Sequence, residues 1–142
     1  MTITTTDNIS PNFMERLGWS LFSLRLGVFI VMIMWTIDKL INPGHSIKIF
    51  EKYYGIAGLG DTVAYVLGGL QLILVLAFLA GVKKRLTYGL IFLMHAGSTF
   101  SSYNQYIDGF NNLLFFTAWP MLAACFALCL LREQDNKLTL TK

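Results

Sequence analysis

Charge is what this chain has least of. Asp, Glu, Lys and Arg make up 13% of its 142 residues, against about 25% in a soluble domain. That deficit excludes an ordinary water-facing surface over most of the molecule. The formal charge of +3 is small and spread out, which excludes a nucleic-acid partner. Histidine occurs twice, at His45 and His95, and cysteine twice, at Cys125 and Cys129. No metal-ligand spacing can be assembled from them. The two cysteines lie one helical turn apart on one face, so a mutual disulfide would be strained. Glycine-rich phosphate loops, nucleophile elbows and carboxylate pairs are missing, and with them most soluble-enzyme chemistry. Met1–Ser10 carries no basic residue, which argues against a cleaved signal.

What is present is apolar. Hydrophobic residues account for 55% of the chain, and the mean hydropathy is +0.58. Four stretches, about 19–41, 62–80, 86–101 and 113–131, each read as long enough to cross a bilayer, which takes about 20 mainly apolar residues. The expectation is an all-α, four-helix transmembrane bundle over residues 11–131. A disordered polar tail, 1–10, precedes it and a cytoplasmic tail, 132–142, follows. Ser10-Pro11 is a good helix start, a hydroxyl cap followed by a proline where no N–H is needed. Pro43-Gly44 stops the first span, Asp61 can cap the second, and Asn111 or Asn112 can start the fourth. Pro120 should kink that last span. Lys83, Lys84 and Arg85 crowd one short connection, and Ser102–Asn112 has neither Lys nor Arg. Lys and Arg gather on the cytoplasmic side, which puts both termini and the Lys83–Arg85 loop there. Aromatic residues crowd the opposite side, so Asn42–Asp61 should fold down as an outer cap, with a short helix near Ile47–Tyr54.

Few polar groups fall inside the apolar stretches. Arg25, about 9 Å into the first, can reach back to the surface or hold an anionic headgroup or carboxylate. Asp38 and Lys39 close the first span; Asp38 can pair with Lys39, Lys48 or a tyrosine hydroxyl, or both residues can simply anchor at the interface. Gln71 and His95 land near the midplane, with Ser98 and Thr99 just outward of His95. They could form an interhelical hydrogen bond that only pins the bundle, a quinone contact, a proton relay or, least well, a haem ligand. Gly68-Gly69, Gly89 and Gly97 read as places where helices approach closely.

Leu24-Arg25-Leu26-Gly27-Val28-Phe29, then Asp38-Lys39-Leu40 with Pro43, and Leu67-Gly68-Gly69-Leu70-Gln71-Leu72 resemble the DoxX-like family of small four-helix membrane proteins. The resemblance covers about Leu24–Leu131. Gln71 departs from it, standing where the family commonly has glutamate. The resemblance implies a multi-pass protein of the prokaryotic cytoplasmic (inner) membrane, associated with quinone-linked redox systems. On that reading the chain is an accessory subunit of a membrane oxidoreductase, not catalytic alone. Its partners are the lipid bilayer and a larger membrane complex or further copies of itself. Quinone or lipid would contact Gln71, His95, Ser98, Trp35 and Trp119. The alternatives are a non-catalytic scaffold or homo-oligomer, and a small-solute or proton permease.

Overall fold

The computed structural model describes residues 10–141 and is all-helical, with no strand among them. The expected tail 1–10 falls almost wholly outside the described residues. Helix α1 (Pro11–Ile41) starts as its sequence demands: Ser10 Oγ accepts the Phe13 N–H at 3.2 Å, and Pro11 takes the first position. It ends at Asn42, and Pro43 opens α2 (Pro43–Tyr54), which stops at Gly55 in the left-handed conformation. Helices α3 (Asp61–Leu79) and α4 (Lys84–Ser101) form a hairpin, and short α5 (Tyr103–Ile107) leads on. Residues Leu113–Thr117 are 3-10 helix and run into α6 (Ala118–Leu130).

Two details correct the sequence reading. Gly60 precedes α3 and Asp61 is its first residue, with no side-chain cap. Pro120 sits in the first turn of α6 rather than in mid-span, because the preceding stretch winds as 3-10 helix; a proline there needs no kink.

Three helical runs, Pro11–Ile41, Asp61–Leu79 and Leu113–Leu130, are long and apolar enough to cross a membrane. Helix α4 is of similar length but more polar, because it carries Lys84, Arg85, His95, Ser98, Thr99 and Ser101. Large apolar side chains face outward on all four long helices, among them Met34, Ile73, Leu93 and Leu130. A water-soluble monomer rarely exposes so much. These features point to a membrane protein.

Each long helix buries a stripe at helical spacing: Leu21, Arg25, Val28, Met32 and Thr36 on α1; Gly68, Gln71, Val75 and Phe78 on α3; Tyr88, Ile91, His95 and Thr99 on α4; Cys125 and Leu128 on α6. Helix α1 packs mainly on α3, and α4 mainly on α6. Gly68 permits the first pairing, since a Cβ there would lie 2.8 Å from Leu40 Cδ2. Gly69, Gly89 and Gly97 do not serve close approach as expected: a Cβ on any of them would meet nothing within 4 Å. The packed core of Leu21, Val75, Phe78, Tyr88, Ile91 and Leu128 fills the end that carries the α3–α4 turn. Toward the α2 end the two helix pairs stand apart.

Candidate functional site: a lateral crevice and a buried clasp

The gap between the helix pairs is a crevice of about 1450 Å³. That exceeds the roughly 300–1,000 Å³ of most small-molecule sites. Its walls are apolar, built by residues such as Leu24, Val31, Leu70, Leu93 and Met121. Helix α2 closes the far end, where Tyr53 meets Phe115 at 6.1 Å.

Gln71, His95, Ser98 and Trp35 all line this one crevice. Trp119 is not among its lining residues; it packs edge-on against Phe100 at 5.9 Å and against Tyr106 at 5.5 Å. Gln71 and His95 lie eight residues from the end of α3 and eleven from the start of α4. At 1.5 Å per residue they sit about 12 and about 17 Å from the hairpin turn, within one helical turn of each other.

They do not bond to each other. His95 Nε2 donates to the Ala118 carbonyl at 2.9 Å, tying α4 to the first turn of α6. Thr99 Oγ1 donates to the His95 carbonyl at 2.8 Å. Tyr106 donates its hydroxyl to Thr99 O at 2.9 Å, and burial raises its pKa. With the proton on Nε2, a neutral imidazole presents Nδ1 as an acceptor. Among the described residues neither His95 Nδ1 nor the Gln71 amide has a protein partner, and neither is sealed from the crevice. The site therefore offers an acceptor and an amide, which both donates and accepts, at matched depth in apolar walls.

Asp38 corrects another expectation. It pairs with none of the suggested partners; its Oδ2 lies 2.6 Å from His45 Nδ1, because α2 folds back over the end of α1. His45 in turn stacks on Trp35 at 6.3 Å. Among the described residues Lys39 has no carboxylate within 4 Å, and the only hydrogen bond of its ammonium is a long one, 3.4 Å, to Trp35 O.

At the opposite end Arg25 is fully buried. Nη1 donates to Asp135 Oδ2 at 3.0 Å and to Tyr88 Oη at 3.2 Å; Nη2 donates to the carbonyls of Lys137 at 2.5 Å and Leu138 at 3.3 Å. Tyr88 completes the triangle by donating to Asp135 Oδ2 at 2.6 Å. Arg25 thus neither reaches for the surface nor holds a headgroup. It holds a carboxylate 110 residues away.

The tail beyond Leu131 is folded onto the bundle. Leu140 N–H donates to Ala80 O at 2.8 Å, and Thr141 Oγ1 to Gly81 O at 2.6 Å. Gly81 has φ +66°, and a Cβ there would fall 2.6 Å from Thr139 Cγ2, so only glycine fits beneath the tail. Asp135 and Tyr88 are functional residues that the sequence pattern alone did not single out. Their signal was available: an arginine inside an apolar helix needs an anion, and few acids lie near that end of the chain.

Among the described residues no group of His, Cys, Asp and Glu could hold a metal. No family model, no curated protein and no solved structure matches this chain.

Proposed function

We propose that this is a four-helix integral membrane protein, DoxX-like in kind, whose crevice receives a quinone or lipid from the bilayer. The observation that carries the reading is the pair of unpartnered polar groups, the Gln71 amide and His95 Nδ1, facing one apolar cavity between helix pairs. A quinone carbonyl would accept from Gln71, and a quinol hydroxyl would donate to His95. Helix α4 acts as the fourth span in this reading, supported by its outward Leu86, Leu90, Leu93 and Phe100. Its His95, Ser98 and Ser101 line the crevice, and Thr99 is buried in the core.

The Lys83–Arg85 turn and the tail with Arg132 and Lys137 share one end. That clustering supports placing both termini on the cytoplasmic side of a prokaryotic inner membrane. Association with a larger redox complex, as an accessory subunit that is not catalytic alone, rests on the family resemblance.

A second reading, a scaffold or homo-oligomer, is favoured by the His95–Ala118 bond, which pins two helices whether or not a ligand binds. One experiment separates the two. The protein is purified in mild detergent, its partners are identified by mass, and bound quinone and lipid are extracted. His95→Ala and Gln71→Leu should each lower quinone content about two- to tenfold, the worth of one net hydrogen bond. Unchanged content in both variants, with altered assembly, would leave the scaffold reading.

A further inference from the structure

The charge lining the crevice is of one sign. Lys39 contributes to its wall from α1, and Lys48 and Lys52 from α2; neither Asp nor Glu lines it. Among the described residues none of these lysines has a carboxylate within 4 Å. Lys52 lies over the Tyr53 ring at 5.2 Å, and Lys39 has only its long bond to Trp35 O. The nearest acid in sequence, Asp38, bonds to His45 and acts on Lys39 only through space.

Lys39 also stands at the right depth. A Cβ on Gly68 would lie 3.2 Å from Lys39 Cβ, so the two residues share a level across the α1–α3 contact. Side chains lean toward the helix N-terminus, and Lys39 Nζ reaches back one turn to Trp35 O. Gln71 is three residues along α3 in the same direction, about 4.5 Å. The ammonium and the Gln71 amide therefore face the crevice at one depth. A half-buried ammonium in an apolar recess is stabilised by an anion brought to it.

We propose that the occupant of the crevice is an anionic lipid. Its carboxylate or phosphate head is held by Lys39 beside Gln71, with Lys48 and Lys52 drawing it in, and its chain lies along the apolar walls. The proposal rests on the ligand-binding reading above and narrows its ligand class; a neutral quinone would leave all three lysines unanswered.

The test uses the protein reconstituted in phosphatidylcholine vesicles, in a Trp19→Phe/Trp119→Phe background. Trp35, on the crevice wall, is then the only tryptophan. Its fluorescence is followed as brominated-chain phosphatidylglycerol, brominated phosphatidylcholine, dibromostearate or a decyl-chain quinone is added. Phosphatidylglycerol or dibromostearate should quench at about tenfold lower mole fraction than phosphatidylcholine, as expected for one charge-assisted contact. Quenching by dibromostearate alone assigns a free fatty carboxylate; quenching by phosphatidylglycerol assigns a phospholipid head. Lys39→Gln should abolish the preference, and Lys39→Arg should keep it. Equal quenching by the anionic and neutral lipids, or a preference that survives Lys39→Gln, overturns the proposal. Gly97→Leu keeps the two failures apart, because it fills the crevice from a position where a Cβ meets nothing. If it weakens quenching by the quinone while anionic and neutral lipids remain equal, the crevice binds ligand but does not select charge. If it changes quenching by none of the probes, the ligand-binding reading falls as well.

Discussion

Asp135→Ala should release the C-terminal tail. Asp135 and Arg25 are both completely buried, and the carboxylate accepts from Arg25 at 3.0 Å and from Tyr88 at 2.6 Å. Removing one partner of such a pair costs about 3–5 kcal/mol, mainly because the other charge is left uncompensated. The chain has a cheaper response than global unfolding: the tail can lift away and let water reach Arg25. The lower figure, about 3 kcal/mol, is roughly a 150-fold rise in the open fraction, since each 1.4 kcal/mol is tenfold. Hydrogen exchange at the Leu140 amide reads this opening directly, because that N–H is held by Ala80 O at 2.8 Å. Trypsin cleavage after Lys137 should accelerate in parallel. Arg25→Gln/Asp135→Ala should exchange more slowly than Asp135→Ala alone, because it leaves no orphaned charge. Exchange at Leu140 within threefold of wild type in Asp135→Ala would refute the clasp as what holds the tail.

Tyr88→Phe removes only the hydroxyl that joins Arg25 to Asp135. It should raise the same exchange rate by about tenfold, the lower end of the about 1.5–3 kcal/mol that hydrogen bonds to charged groups are worth, since Arg25 keeps its direct contact. Gly68→Val should lower the thermal midpoint in detergent by an amount corresponding to about 1–3 kcal/mol of overpacking, because even a Cβ would come within 2.8 Å of Leu40. Gly69→Val, where a Cβ meets nothing, is the control and should leave the midpoint unchanged.

Much of this architecture is written along the chain. A solvent-starved composition and long apolar runs require helices that satisfy their own backbone. Ser10-Pro11, Pro43 and Gly55 punctuate those helices through local sterics and capping, which depend only on neighbours in sequence. The stretch before α6 was less legible, since its apolar residues suit an α-helix or a 3-10 helix equally. The placement of Gln71 and His95 at similar depth also follows from counting residues along straight helices.

What counting cannot supply is rotation about each helix axis and the meeting of distant segments. Only packing put Gln71, His95, Ser98 and Trp35 around one crevice and turned Trp119 toward Phe100 and Tyr106. Only the fold-back of α2 gave Asp38 to His45 and left Lys39 with no carboxylate within 4 Å among the described residues. The Arg25–Asp135 contact spans 110 positions, and no local rule relates residues so far apart. The sequence by itself determined a bundle of apolar helices with a handful of polar groups at set depths, because burial and backbone hydrogen bonding act locally. The tertiary structure decided which of those groups answer one another and which face an open crevice, because that depends on long-range packing of helix faces.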